Sequence, residues 1–109
     1  MKIQDIPFCT VDWSALKPAE HPGVTGKAYW YTFEMGNIRA RMVQYSPGYF
    51  ADHWCGRGHV LLVLEGELVT ELEDGRAVTL TAGMSYIVAE GANPHRSHTE
   101  KGAKLFIVD

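Results

Sequence analysis

Short runs of β-forming residues, each closed by glycine, proline or asparagine, follow one another through most of this chain, and no helical period survives between them. The first pair is the clearest. Residues 28–34 are rich in aromatic side chains, a turn at 35–37 carries Gly36 and Asn37, and 38–45 alternates strictly between the two faces, which is the pattern of a β-hairpin. Pro47 and Gly48 close it. Further strands are expected at 59–64, 67–73, 76–81, 84–88, 95–99 and 103–108, separated by turns at 74–75, 82–83, 90–94 and 101–102. Eight or nine short strands at even spacing predict an all-β fold, an antiparallel barrel or sandwich. Residues 1–27 hold Ile6, Phe8, Val11 and Trp13 but are broken by Pro18, Pro22 and Gly23, so they predict an ordered arm lying on the sheet. A chain of 109 residues is enough for one core and too short for two, so 1–109 reads as one domain, with the arm at 1–27 and the barrel at 28–109.

The chemistry concentrates in the run His53, Trp54, Cys55, Gly56, Arg57, Gly58, His59. In an extended strand alternate side chains share a face, which puts His53 and Cys55 together and sends Asp52 and Trp54 the other way. The glycines flanking Arg57 can turn the chain and bring His59 back over the same pocket. His95, behind the 90–94 turn, is a fourth candidate ligand. Across 59–64 both faces are apolar, with Leu61 and Val63 on the side of His59 and Val60, Leu62 and Leu64 opposite. A strand apolar on both faces needs cover outside. That cover is expected from the arm or from a second subunit, and the outward row predicts a homodimer.

A formal net charge of -3 and scattered lysines and arginines argue against a nucleic-acid partner and against an anionic membrane surface. No window approaches the roughly 20 apolar residues of a membrane span, and the first residues lack the apolar run of a signal peptide, so a soluble, cytoplasmic protein is expected. In a reducing compartment Cys9 and Cys55 are expected to be free thiols.

The spacing resembles the cupin family from the first hairpin to the end of the chain. The first cupin motif places a glycine five residues before a His-x-His pair, then a glutamate, then six residues and a glycine. Here Gly48 stands one residue too close, His53 matches the first ligand, Cys55 sits where the second histidine belongs, His59 sits where the glutamate belongs, and the interval to Gly66 is kept. In the second motif Gly83 and Gly91 match, Ala89 replaces the proline, His95 matches the ligand one residue late, and Thr99 replaces the asparagine. The run Asp52, His53, Trp54, Cys55 also resembles a small single-domain bacterial subgroup labelled by an Asp-His-Cys-Trp (DHCW) motif.

This resemblance implies a single cupin domain, a small jelly-roll β-barrel (double-stranded β-helix), usually dimeric, with one divalent metal at its mouth. The implied ligands are His53, Cys55, His59 and His95. Three nitrogens and one sulfur suit zinc, iron, nickel or copper rather than magnesium or calcium. Cys55 is either a ligand or core packing, free cysteine being among the most buried residue types. By strand parity Tyr49 and Ala51 share the face of His53, Ser97 and Thr99 share that of His95, and Tyr86 points inward, so Tyr49 and Tyr86 are candidate pocket hydroxyls, although filling the core is the commoner use of such aromatics. His98 is expected to face away from the pocket and His21 to sit in a loop. Arg39 and Arg41 share one face, ordinarily a solvated one, alternatively a pair of anion-binding groups. No carboxylate is expected inside. The function this supports is a metal-dependent enzyme of dioxygenase, isomerase or lyase type acting on a small polar metabolite, or a non-catalytic metal- or ligand-binding sensor module; no other cofactor is expected.

Overall fold

Eight strands carry the chain through two sheets that share one long strand, in a computed structural model that describes all residues, Met1–Asp109. They are β1 (Ala19–Pro22), β2 (Lys27–Met35), β3 (Ile38–Tyr45), β4 (His59–Leu72), β5 (Ala77–Thr81), β6 (Ser85–Val88), β7 (His95–His98) and β8 (Ala103–Val108). Every pairing is antiparallel. The first sheet runs β1-β2-β3-β8-β4-β6, and the second places β5 and β7 on either side of the far half of β4.

The runs expected at 59–64 and 67–73 are one strand. β4 crosses from the first sheet to the second through a bulge, since Val63 opposes Leu105 while Glu65 opposes Lys104 and Leu64 has no partner. One extra residue reverses the parity of everything after it. Before the bulge His59, Leu61 and Val63 are buried; after it Leu68 and Thr70 are. Gly66 follows the bulge at φ 80°, where any side chain would strike the backbone of Gly102.

The core fills the space between the two sheets, with Val43, Leu61, Val63, Leu105 and Ile107 from the first meeting Leu68 and Leu80 from the second. Burying one leucine contributes about 2 kcal/mol. A one-residue slip of β4 would expose Leu61 and Val63 and turn His59 out of the barrel with them, so the packing that fixes the register also fixes the site.

The N-terminal segment contributes more than an arm. Residues 19–22, inside the expected arm, form β1 on the edge of β2, and His21 stands in that strand with its ring 3.9 Å from the Trp30 ring rather than in a loop. The aromatic surface of β2 explains this, because His21 and Trp30 cover each other. Upstream, a single 3-10 turn (Trp13–Ala15) is capped by the Asp12 carboxylate and lays Trp13 edge-on against Phe106 of β8. Asn37 ties the first residues to the β2–β3 turn, accepting from the Gln4 amide and donating to the Lys2 carbonyl. The arm thus covers the outer side of β8 and leaves Ile87 (78% exposed), Val60 (39%) and Leu64 (37%) open to solvent.

Candidate metal centre

Three side chains converge at one mouth of the barrel: Cys55 from the segment before β4, His59 at the start of β4 and His95 at the start of β7. Their ligand atoms all lie within 4.8 Å of one another. The meeting of Cys55 with His95 is a matter of backbone register. The segment before β4 runs antiparallel to β7: Thr99 N–H donates to the Tyr49 carbonyl and Ala51 N–H to the Ser97 carbonyl. Continued regularly, that ladder would set residue 53 opposite residue 95. Instead the chain bends at Asp52 and His53, and Cys55 bonds His95 in both directions, at 2.7 and 3.0 Å. Two extra residues are looped out, and Cys55 occupies the place that strict alternation gives to His53.

His53 therefore stands apart from the other three expected ligands. Its side chain is 79% exposed at the cavity rim, with Nδ1 2.6 Å from the Asp52 carboxylate. The alternation argument holds only for an extended strand, and this loop is not one.

The two buried imidazoles are oriented for a shared partner. His95 Nδ1 donates to the Asn93 carbonyl at 2.8 Å, which leaves Nε2 with its lone pair facing inward. That Nε2 lies 3.1 Å from Nε2 of His59. Two imidazole nitrogens bound to one ion at about 2.05 Å stand about 3.3 Å apart in tetrahedral and about 2.9 Å apart in octahedral geometry, and the observed separation falls between. The His95 imidazole, by hydrogen bonding, holds the Cys55 thiol below the usual thiol range, and the same bond raises His95. A thiol drawn toward its ionised form beside two inward-facing imidazoles is a donor set that fits a borderline or soft divalent ion. Three protein ligands would leave such an ion at least one coordination position for water or substrate.

Behind His59 lies a carboxylate. Asp109 has a 1% exposed side chain; its Oδ2 is 3.5 Å from His59 Nδ1, which is buried and has no hydrogen bond. Arg39 grips the same carboxylate with two bonds, of 2.9 and 3.0 Å, and Arg41 adds a third at 3.0 Å. Burial opposes ionisation of Asp109, but the bond from Arg39 and the charges of Arg41, Arg39 and Arg57 outweigh it and hold it below the usual carboxylate range. Arg39 and Arg41 are thus not a solvated face: Arg41 is 5% exposed, lies with its guanidinium 4.4 Å from the Trp30 ring, and lines the cavity with Arg39. The expectation of no inward carboxylate is corrected with it. The signal was present, since Ala103, Leu105 and Ile107 are buried by alternation and the next inward position is 109.

The cavity above these residues holds about 290 Å³. Tyr49 and Tyr86 both line it, joined by Tyr45, which the sequence pattern did not single out and which stacks on Tyr49 at 4.2 Å. Tyr86 OH is 3.0 Å from His59 Nε2, and burial raises the pKa of Tyr45 and of Tyr86, so both hydroxyls stay protonated. His98 turns away, stacking on Phe50 with its Nε2 3.3 Å from Glu71. Both cysteines are free thiols.

Burial, reinforced by the charge of His95 and opposed by Asp109, depresses His59 to about 4. Between pH 6.5 and 4 the unfolded chain then binds the proton that the folded chain refuses, so stability falls as pH falls through that window. His95, raised in the folded state, adds no slope there, being protonated in both states below 6.5. Chelated protein is expected to lose about 2 kcal/mol between pH 6.5 and 4.5 in urea unfolding, the slope for one proton approaching about 1.4 kcal/mol for each pH unit. A flat profile over that range would contradict a buried neutral His59.

The sequence matches no protein-family model, and no curated protein is similar enough to match it. Solved structures do match. A predicted oxalate decarboxylase from Thermotoga maritima superposes with a TM-score of 0.76 at 17% identity, over 92% of this chain and 96% of that one. A sugar phosphate isomerase of the cupin superfamily from Silicibacter pomeroyi gives 0.71 at 16% identity, over 92% and 74%. A cupin-2 domain protein from Shewanella frigidimarina gives 0.57 at 22% identity, over 71% and 74%. At these identities the likeness is one of fold, and this chain has the all-β cupin fold.

Proposed function

We propose that the chain is a metal-dependent enzyme of the cupin kind, of dioxygenase, isomerase or lyase type, acting on a small polar metabolite. The observation that carries this reading is the 3.1 Å approach of two inward-facing Nε2 atoms beside Cys55 at the floor of an open cavity. Cys55, His59 and His95 would hold one divalent transition ion, zinc, iron, nickel or copper, and His53 would join them only if the 52–54 loop folded inward. A bound ion would supply Lewis-acid polarisation of substrate oxygens at the open position. The Asp109 carboxylate backs the His59 ring by its charge, 3.5 Å from Nδ1, and Tyr86 would offer a proton to a group seated above His59. The named neighbours, a predicted oxalate decarboxylase and a sugar phosphate isomerase, support oxygen-rich small substrates as a class. The 52–55 run places the chain, on this proposal, beside the DHCW-motif cupins of bacteria.

The open coordination position and the cavity favour catalysis over the closed metal-binding module that is the second reading. Element analysis of protein purified without an affinity tag decides the metal: about one equivalent of zinc, iron, nickel or copper, removed by chelation and restored on addition, is the expected result. Protein that neither carries nor takes up a transition ion would end the proposal.

Two copies are proposed to pair through the outer face of the first sheet. Ile87 stands directly opposite Val60 in the β4–β6 register, so the exposed Ile87, Val60 and Leu64 lie together, beside rather than beneath the arm. Light scattering at micromolar concentration is expected to give twice the 12.2 kDa of the chain. A monomer mass there would remove the pairing without touching the metal centre.

A further inference from the structure

The arginines of the cavity exceed what its one buried carboxylate needs. Arg39, Arg41 and Arg57 all face Asp109, and Arg57, with Nε 3.9 Å from Oδ1, stands beyond hydrogen-bond reach. Glu34 lies across the hairpin from Arg39 and acts on it only through its charge, while Asp52 at the rim is engaged by His53. The fourth cavity arginine, Arg96, is paired with Glu71. The inner group thus carries three guanidiniums against one carboxylate. Donors remain free in it: the whole guanidinium of Arg57, half-exposed at the cavity, and Arg41 Nε, buried without a partner. Asp109 itself demonstrates what this fork accepts, since Arg39 holds it with two parallel bonds.

We propose that the cavity binds a small organic acid whose carboxylate is held by Arg57, with the charges of Arg39 and Arg41 behind it, while its other polar end reaches toward Cys55, His59 and His95. A volume of about 290 Å³ limits the acid to a few carbons beyond its polar groups. The second end rests on the metal reading above; the carboxylate end rests on the arginines alone.

The two are separated by titrating chelated protein with malonate and, at matched ionic strength, with its uncharged counterpart malonamide, followed by amide and guanidinium NMR shifts. Malonate is expected to bind at least tenfold more tightly than malonamide. Arg57→Gln, a change at a half-exposed side chain without hydrogen bonds, should weaken malonate about tenfold and leave malonamide unchanged. Arg57→Lys, which keeps the charge and loses the planar fork, should fall between. Equal affinities for malonate and malonamide, or malonate affinity indifferent to Arg57→Gln, would overturn the proposal. Zinc uptake by the same preparation reads the metal independently: arginine-dependent malonate binding without zinc uptake would uphold the anion site and remove the metal centre. Zinc uptake without arginine-dependent malonate binding would overturn the anion site alone.

Discussion

Cys55→Ser is expected to weaken zinc binding on the order of a hundredfold while leaving the strands in place. Loss of groups that merely orient metal ligands costs roughly tenfold to a hundredfold in affinity, and removing a ligand should reach the upper end of that range. The serine hydroxyl is harder and far less acidic than the thiol, which His95 already holds toward its ionised form. Because the backbone bonds of residue 55 to His95 do not involve the side chain, the bridge that closes the barrel mouth survives the change. His59→Ala and His95→Ala should be at least as damaging to zinc binding. His53→Ala, at a 79% exposed side chain, should change zinc affinity less than about threefold. Competition against a chromophoric chelator gives the ranking. Zinc affinity that survives Cys55→Ser, with only a lower melting temperature, would make the thiol a packing group and leave the histidines alone as ligands.

Asp109→Asn is expected to be the most destabilising conservative change in the chain. The carboxylate is 1% exposed and answers Arg39 and Arg41, whose side chains are 16% and 6% exposed. Removing one partner of a buried ion pair leaves uncompensated charge and costs 3–5 kcal/mol in other proteins, as an order of magnitude. The amide retains one acceptor oxygen and Arg39 borders the cavity, so about 3 kcal/mol is expected here, or roughly 15 °C of melting temperature for a domain of this size. Chemical unfolding of the two proteins at pH 7 checks it. A loss under about 1 kcal/mol would mean that water reaches these arginines freely. The same change should loosen the His59 ring and weaken zinc binding in protein that remains folded, although Asp109 touches no ion.

What the sequence disclosed and withheld at this site follows one physical rule. Alternation is reliable where a strand is continuous and buried, as in 38–45 and 103–108, and there it placed the hairpin, the core and even, had it been carried one step further, Asp109. It fails where the ladder gains residues. The Leu64 bulge joined two expected strands into β4, and the two looped residues near His53 parted a pair expected on one face, keeping Cys55 at the mouth and leaving His53 on the rim. Neither insertion has a mark in residue type alone, because Asp52 and His53 are as acceptable in a strand end as in a bend. Arg39 and Arg41 were legible as a pair on one face, but which face was decided by Asp109, some seventy residues away. The resemblance in the motif spacing named all three converging groups together with His53, which stays outside, and the antiparallel fold it implied is the one observed.

X-ray absorption at the metal edge of protein loaded with one equivalent of zinc tests the centre most directly. Cys55, His59 and His95 predict one sulfur at about 2.3 Å and two imidazole nitrogens at about 2.0–2.1 Å, with a light-atom ligand completing the shell. A spectrum without a sulfur shell, or one requiring a third imidazole, would contradict this assignment.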